Sequence, residues 1–274
     1  MGTPQTSGWN PHRFLPESDA KRATFAAVAL AMDRAIGRVV DALKATGAYE
    51  NAVVVFASDN GAIPGQMGGG SNWPLRGGKY SAWEGGVRVP AFVHSPLLPA
   101  HMRGAVYDGL FHVADWLPTI AAAAGAAVDS GDGVSHYRAL FADGPAPRSE
   151  LLVHVDVYGV ELEPLGFSTG AYLEGDLKLV VDAVAASICS PDSAVYREEV
   201  QCSPSLSTVY DWVLNGDGDY ADYFTATGLF DVVADPGETT DLSAARPDDF
   251  VLGARRTGSW APLASRQEPT RAPA

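Results

Sequence analysis

One short run of the sequence constrains the fold more than any other feature. Val53, Val54, Val55 and Phe56 follow one another without an intervening polar residue. A continuous β-branched and aromatic run of this length is typical of a strand that is covered on both faces in a parallel sheet. Parallel sheets bind ligands at the carboxyl ends of their strands. We therefore expect the residues after Phe56 to lie at a ligand-binding edge.

Asp59 and Asn60 stand at that predicted edge, directly before Gly61. The carboxylate of Asp59 and the amide carbonyl of Asn60 are hard oxygen ligands of the kind that Ca²⁺ and Mg²⁺ prefer. The same Asp-Asn-Gly run also predicts an ordinary turn, since Asn and Gly tolerate left-handed backbone conformations. The residues alone leave a metal site and a simple turn as alternatives.

The loop after this turn is rich in glycine and carries two cations. Gly65 and the run Gly68-Gly-Gly70 allow close approach of the backbone to a neighbouring group. Further along, Arg76-Gly-Gly-Lys79 places an arginine and a lysine beside two more glycines. Cations beside a divalent metal favour a negatively charged ligand, because they attract the opposite sign of charge.

Three segments of this region resemble the arylsulfatase family, most closely its N-acetylgalactosamine-4-sulfatase (arylsulfatase B) branch. They are Ser58-Asp-Asn-Gly61, Asn72-Trp-Pro-Leu-Arg-Gly-Gly-Lys79 and Trp83-Glu-Gly-Gly-Val-Arg-Val-Pro90. The three stand in the order in which the family has them. The resemblance covers the carboxyl-terminal half of a sulfatase only.

The resemblance implies both a fold and a site. The fold is α/β, with the carboxyl-terminal part of an alkaline-phosphatase-like sheet flanked by helices and followed by a small α+β subdomain with an antiparallel sheet. In the family, the residues that match Asp59 and Asn60 complete a calcium site, and the residue that matches Lys79 holds the sulfate. The implied activity is hydrolysis of sulfate esters, with a sulfated carbohydrate or an aryl sulfate ester as the partner. The implied location is secreted or lysosomal, although the sequence shows no signal peptide.

The nucleophile segment of the family is not found in this sequence. Sulfatases oxidise the cysteine of a Cys-x-Pro-x-Arg segment to formylglycine, and the nearest matches here begin at Cys189 and Cys202. Both follow Asp59 and Asn60, whereas the family has its nucleophile before that pair, so we assign the role to neither cysteine. They could equally form a disulfide that closes a short loop or remain as two thiols. We therefore expect a truncated chain that is inactive in isolation and has an incomplete calcium site.

Composition limits the partners and the size of the core. A formal net charge of −14 over 274 residues repels nucleic acid and anionic membranes. No apolar run approaches the roughly 20 residues that a membrane span requires. A hydrophobic content of 46% is enough for the core of one large domain, or of a medium domain and a small one.

Elements around the site can be predicted from periodicity. Apolar residues at helical spacing predict an amphipathic helix over residues 19–46, with Ser18 as N-cap, Gly47 just after its end, and Phe25 and Met32 facing the core. This helix and the following strand form half of a βαβ unit, whose opening strand we expect before Met1. A second strand is predicted over residues 89–95.

The rest of the chain reads as a helix followed by short strands. Phe111 to Gly125 is predicted to form a helix in which His112 and Asp115 are structural. Glycine, proline and polar residues then indicate a linker. Beyond it come a strand over residues 151–157, a hairpin over residues 170–181 that turns at residues 174–176, and a closing strand and turn over residues 229–242. The predicted domains are residues 1–130 (sulfatase α/β part), 131–149 (linker), 150–265 (antiparallel subdomain) and 266–274 (disordered tail).

Two other functions fit parts of the pattern. A phosphoesterase of the alkaline phosphatase superfamily would share the sheet, but two-zinc phosphatases need histidine ligands where this chain has Asp59 and Asn60. A non-catalytic module that binds sulfated glycans would need only the lysine clamp provided by Lys79. A Cys-x-Pro-x-Arg segment in the sequence upstream of Met1 would favour the enzyme over the binding module.

Overall fold

The computed structural model describes residues 20–62, 69–79, 81–155, 170–184 and 225–256. The chain divides into two compact units, of which unit 1 comprises residues 1–59 and 90–151, and unit 2 comprises residues 60–89 and 152–274. The helices are α1 (Ala20–Ala45), α2 (Glu84–Val87), α3 (Trp116–Ala123), α4 (Tyr137–Phe141) and α5 (Pro247–Arg256), with 3-10 turns at Ala48–Asn51, Ala100–Met102 and Val113–Asp115. The strands are β1 (Val54–Ala57), β2 (Ala91–His94), β3 (Glu150–Val155), β4 (Gly170–Glu174), β5 (Leu177–Val184) and β6 (Thr225–Asp231).

Helix α1 of unit 1 confirms the first predicted helix. It ends where predicted, because Gly47 adopts a φ of 75° and its N–H donates a hydrogen bond of 3.2 Å to the carbonyl of Lys44. Glycine is favoured at such a position since it has no side chain to clash in the left-handed region. The predicted N-cap, Ser18, lies outside the described residues.

The prediction that Phe25 and Met32 belong to the core is wrong in this structure. Their side chains are 44% and 48% exposed, respectively. Among the described elements, α1 packs chiefly on the 3-10 turn that follows it. The apolar period of a helix shows which face can be buried, but it does not supply the surface that buries it.

Strand β1 forms where the apolar run predicted it, but its environment differs from the prediction. It pairs with β2 in an antiparallel manner, with Val55 opposite Val93 and Phe56 opposite Phe92, and its residues are half-buried or exposed. The phenylalanine rings stack with centroids 5.2 Å apart. The prediction of a parallel strand covered on both faces is therefore wrong for the described pairing, because a four-residue apolar run specifies neither the partner of a strand nor its direction.

Unit 2 is built on a four-stranded sheet in the order β3-β4-β5-β6, of which the first two residues of β3 belong to unit 1. Strands β4 and β5 form the predicted hairpin, with Glu174 opposite Leu177 and a φ of 57° at Gly175 in the turn. Strand β6 confirms the predicted closing strand and begins at Thr225. Helix α5 packs on the sheet, and the core consists of Leu179, Val181, Leu229 and Phe250 with Leu177 and Leu242 against them.

Three other predictions fall in less regular parts of the chain. The segment predicted as a linker, residues 131–149, contains α4 and the fully buried His136; the division into domains stays a prediction. The tail after residue 265, together with Cys189 and Cys202, lies outside the described residues. Within the described ranges, no helix has both the length and the apolar character that a membrane span would need.

Candidate functional site

The predicted metal-binding pair lies at the point where unit 1 passes into unit 2. Asp59 follows β1 and is exposed, and it is the last residue of the first segment of unit 1. Asn60 is half-buried and is the first residue of unit 2. Its Nδ2 donates a hydrogen bond of 2.9 Å to the carbonyl of Gly61. Because the donor end of the amide is used in this way, Oδ1 is the end that a cation would meet.

The predicted sulfate ligand, Lys79, is half-buried in the long loop of unit 2. We call residues 72–79 and 81–89 the Lys79 loop. The N–H of Lys79 donates a hydrogen bond of 3.1 Å to the carbonyl of Ala62, two residues after Asn60. Within unit 2 the structure therefore brings the backbone of Lys79 next to the segment that begins with Asn60. That the side-chain ends of Asp59, Asn60 and Lys79 meet in one cleft stays a prediction.

Asn72 closes the beginning of the Lys79 loop onto the same segment. Its Oδ1 accepts a hydrogen bond of 2.8 Å from the N–H of Ala62, and its Nδ2 donates one of 2.8 Å to the carbonyl of Ala62. A third hydrogen bond, of 3.1 Å, runs from Nδ2 to the carbonyl of Gly77. One amide side chain thus satisfies three backbone groups that have no strand or helix partner, as buried loop backbone requires.

The glycines around this loop are needed for close backbone contact. A Cβ on Gly61 would overlap the carbonyl oxygen of Gly85, and a Cβ on Gly85 would overlap the carbonyl oxygens of Arg76 and Gly77. The backbones instead meet through hydrogen bonds of 2.8 Å from Gly61 N–H to the carbonyl of Gly86 and 2.7 Å from Gly85 N–H to the carbonyl of Arg76. Side chains at these positions would force the loop open.

A buried ion cluster that the sequence analysis did not anticipate joins the Lys79 loop to the four-stranded sheet. It consists of Glu84 from α2, Lys178 from β5 and Glu238 from the turn after β6, which are 4%, 0% and 0% exposed. Nζ of Lys178 lies 2.9 Å from Oε1 of Glu84 and 2.9 Å from Oε1 of Glu238. Oε2 of Glu238 accepts a hydrogen bond of 2.7 Å from the N–H of Glu84. Two carboxylates therefore share one ammonium group away from solvent.

Opposing effects act on the pKa of Glu238 in this cluster. Burial raises the pKa of Glu238, although the positive charge of Lys178 and the hydrogen bond from Glu84 oppose the rise. Oε1 of Glu238 stands at ion-pair distance from Lys178 but lacks the alignment of a hydrogen bond. Glu238 also has a φ of 51°, an uncommon conformation for a residue other than glycine. Such backbone persists only where surrounding contacts hold it.

Aromatic and cationic groups extend the cluster along the loop. Arg76 donates a hydrogen bond of 3.0 Å from Nη1 to the carbonyl of Glu238, and its guanidinium carbon lies 3.7 Å from the ring centroid of Trp83. Trp83 is fully buried and packs edge-on against Phe230, with ring centroids 5.4 Å apart. Burial lowers the pKa of Arg76, and the negative charge of Glu238 acts in the opposite direction.

The sequence did contain a signal for this cluster. Glu84 belongs to the segment Trp83-Glu-Gly-Gly-Val-Arg-Val-Pro90, one of the three that resemble the family. Lys178 is, in addition, the one charged side chain in an apolar stretch of β5 from Leu177 to Val181. A lysine in such a stretch needs a buried partner, because an isolated buried charge is costly.

A second polar cluster, in unit 1, is structural. Asp115 is fully buried and accepts two hydrogen bonds from Arg148, and one each from the backbone N–H groups of His112 and Val134. Burial acts to raise the pKa of Asp115, but these hydrogen bonds outweigh it and lower the pKa to about 2. His136 Nε2 lies 3.2 Å from Oδ2 of the same carboxylate. These contacts agree with the structural role predicted for His112 and Asp115.

Among the residues that the structure describes, no group of three His, Cys, Asp or Glu side chains is arranged to hold a metal ion. Asp59 and Asn60 supply hard oxygen atoms, but two residues fall short of the six to eight oxygens that Ca²⁺ takes. Their chemistry fits part of a calcium site and does not complete one.

Comparisons with known proteins show what this chain is similar to. Residues 3–126 match the sequence profile of the Sulfatase family. The fold is alkaline-phosphatase-like: the structure superposes on phosphonate monoester hydrolase of Agrobacterium radiobacter with a TM-score of 0.52 at 19% identity, covering 88% of this chain and 41% of that one. The predicted fold class is thereby confirmed.

Two individual proteins show the extent of the similarity. The chain is 41% identical to arylsulfatase J of Mus musculus over 138 residues, which are 49% of this chain and 22% of the relative. It superposes on Ps i-CgsB, solved in complex with k-i-k-neocarrahexaose, with a TM-score of 0.63 at 25% identity, covering 94% of this chain and 48% of that one. Over residues 3–126 the chain is similar to the sulfatase family. It spans about half the length of these solved structures and about a quarter or less of the curated relative. The finer assignment to the arylsulfatase B branch stays a prediction.

Proposed function

We propose that this chain is part of a sulfuric ester hydrolase of the arylsulfatase type, acting on sulfate esters of sugars or of aryl alcohols. The observation that carries the proposal is the hydrogen bond from the N–H of Lys79 to the carbonyl of Ala62, which holds the lysine beside the segment that begins with Asn60. The family match over residues 3–126 covers both Asn60 and Lys79.

In the proposed site, Lys79 binds the sulfate group of the substrate. An ammonium group is a compact point charge with three donors, and it suits a tetrahedral anion. Calcium, when bound by Asp59 and Asn60, would neutralise negative charge on the sulfate oxygens. The attacking group is not assigned to a residue of this chain, because neither Cys189 nor Cys202 has the family's sequence context.

Titration of the chain with inorganic sulfate, followed by NMR, tests the role of Lys79. Lys79→Ala should weaken sulfate binding on the order of tenfold, which corresponds to the loss of about 1.4 kcal/mol. Lys44→Ala, which removes a lysine near the end of α1, is the matched control and should change nothing. Equal sulfate affinity in the wild type and the Lys79 variant would contradict the proposed site.

Calorimetry with calcium tests the metal role. The chain should bind Ca²⁺ weakly, with a dissociation constant on the order of millimolar or higher, because only two ligand residues can be assigned. Asp59→Ala should abolish this binding. If Asp59→Ala left the calcium affinity unchanged, Asp59 and Asn60 would form only a turn.

An assay with a chromogenic aryl sulfate and calcium distinguishes the proposed enzyme from its alternatives. We expect no turnover by the isolated chain. In one alternative outcome, the chain binds sulfate through Lys79 and still shows no turnover after an upstream Cys-x-Pro-x-Arg segment is joined to it. That result would favour the sulfated-glycan binding module. Turnover that survives Lys79→Ala would show that the lysine is not part of the site.

A further inference from the structure

The Lys79 loop has little regular structure of its own. Helix α2, its one helix in the described residues, has four residues and begins at Glu84. A helix of one turn is not stable by itself, because nucleation costs more than its few hydrogen bonds return. The loop must therefore be held by contacts with other parts of unit 2.

Two of those contacts are made on either side of Lys79, and both lead to Glu238. Before the lysine, Arg76 donates a hydrogen bond of 3.0 Å to the carbonyl of Glu238. After the lysine, the N–H of Glu84 donates one of 2.7 Å to the carboxylate of Glu238. Lys79 thus lies in a span of loop that is attached at positions 76 and 84 to one residue.

Lys178 decides whether the second attachment can form. It is the cation that lies within 2.9 Å of both the Glu84 and the Glu238 carboxylates. Arg88 also approaches Glu84, at 3.6 Å, but its side chain is 55% exposed and its pull is weakened by water. Without Lys178 the two carboxylates would face each other as like charges away from solvent, and one would have to take up a proton or move out.

The backbone of Lys178 is independent of the loop. It lies in β5 opposite Leu173 on one side and Phe230 on the other, in the interior of the four-stranded sheet. Removal of its side chain would therefore release the loop while the strand keeps its partners. The ammonium group connects a well-packed sheet to the loop that carries the sulfate ligand.

We infer that Lys178 is a positioning residue for Lys79: from β5 it holds Glu84 and Glu238 together and so fixes the loop in which Lys79 meets the substrate sulfate. The part of this inference that concerns sulfate rests on the proposed function. The part that concerns the order of the loop does not.

Amide hydrogen exchange on the whole 274-residue chain tests the order of the loop. Lys178→Met should speed exchange of the N–H groups of Lys79, Gly85 and Gly61 at least about tenfold, since these hydrogen bonds open when the loop is released. The N–H of Leu242, bonded to Leu229 of the sheet at 2.7 Å, reports opening of the unit as a whole and should be accelerated by a smaller factor than these loop amides. Unchanged loop exchange in this variant would overturn the inference.

A second variant tests the same attachment, and a third is a matched control. Glu238→Gln keeps the shape of the side chain but replaces the charged acceptor of the Glu84 N–H by a neutral amide, so it tests the same attachment with little risk to folding. It should also speed loop exchange, and unchanged rates would overturn the inference even if Lys178→Met did not fold. Arg246→Met breaks the exposed ion pair with Asp249 in the same unit and is the matched control. It should leave the loop amides unchanged.

Sulfate titration separates positioning from general stability. Lys178→Met should weaken sulfate binding about tenfold in the wild type, but it should have no further effect in a Lys79→Ala background, because it acts through that lysine. An equal loss in both backgrounds would overturn the positioning role. If the wild-type chain bound no sulfate, the proposed function would fail, and the exchange rates would still decide whether Lys178 orders the loop.

Discussion

The two units each bury a carboxylate completely and treat it in opposite ways. Asp115 in unit 1 accepts hydrogen bonds from a guanidinium group and from two backbone N–H groups, and its pKa falls to about 2. Glu238 in unit 2 accepts one from the Glu84 N–H and shares an ammonium group with a second carboxylate, and burial raises its pKa. The shifts are opposite because hydrogen bonds outweigh the effect of burial on the pKa of Asp115, whereas burial outweighs the attraction of Lys178 and the Glu84 hydrogen bond for the pKa of Glu238.

The difference separates two uses of buried charge. Around Asp115, each carboxylate oxygen accepts hydrogen bonds from at least two donors, which hold the turn before α3 against Val134 and Arg148. The cluster therefore does not depend strongly on any one of these contacts. Around Glu238, one cation balances two anions. A cluster of the second kind is sensitive to a single change, which suits a device that positions a loop.

The largest effect should come from Lys178→Met. Removal of one partner from a buried ion cluster leaves charge uncompensated, and such changes lower the free energy of unfolding by about 3–5 kcal/mol. Urea denaturation monitored by the fluorescence of the buried Trp83 would measure it. A loss below that of the exposed control Arg246→Met would mean that the cluster is not balanced by Lys178.

Asp115→Asn should have a smaller effect and a different pH dependence. We expect a loss of about 2–3 kcal/mol near neutral pH, because the charged hydrogen bonds to Arg148 weaken while the backbone contacts can persist. The folded pKa of Asp115, about 2, lies below its ordinary value of 3.8. This group therefore stabilises the fold fully above pH 3.8, and about 2 kcal/mol is lost as the pH falls from 3.8 toward 2. Urea midpoints measured across this range should fall more steeply in the wild type than in the variant.

Glu238 should contribute a pH dependence of stability with the opposite sign. Its folded pKa lies above the ordinary value of 4.5, so the folded state binds this proton more tightly than the unfolded state does. As the pH falls through the folded pKa to 4.5, this group makes the protein more stable. The difference in unfolding free energy between the wild type and Glu238→Gln should therefore shift in favour of the wild type as the pH falls from 7 to 4.5. A shift in the other direction would show that the attraction of Lys178 outweighs burial.

The smallest effect should come from the exposed pair Arg246 and Asp249, whose side chains are 46% and 41% exposed at a distance of 2.7 Å. Arg246→Met should change the free energy of unfolding by less than about 0.5 kcal/mol, since water and salt screen surface ion pairs. Comparison with Lys178→Met, which removes two ion pairs of similar length, 2.9 Å each, shows the effect of burial. Similar losses in the two variants would remove the contrast between exposed and buried pairs.

Local patterns predicted much of the secondary structure and part of the site. The apolar period predicted α1, and glycine at position 47 marked its end. The turn residues around Gly175 predicted the hairpin of β4 and β5. Resemblance of short segments predicted the family, and it singled out Asp59, Asn60 and Lys79. Each of these inferences uses neighbours within a few turns or strands, where backbone propensities and turn chemistry act directly.

Tertiary structure alone decided which surfaces and charges meet. The sequence by itself determined that Lys178 is a charged residue in an apolar strand, but not that its partners are Glu84, 94 residues earlier, and Glu238, whose carboxylate receives the Glu84 N–H across 154 residues. The sequence also determined that β1 is a strand, but not that it pairs antiparallel with β2. Likewise it determined that α1 has an apolar face, but not that Phe25 on that helix is exposed. Contacts at such separations depend on closing long stretches of chain around a packed core, and that closure is a property of the whole fold which no local propensity contains.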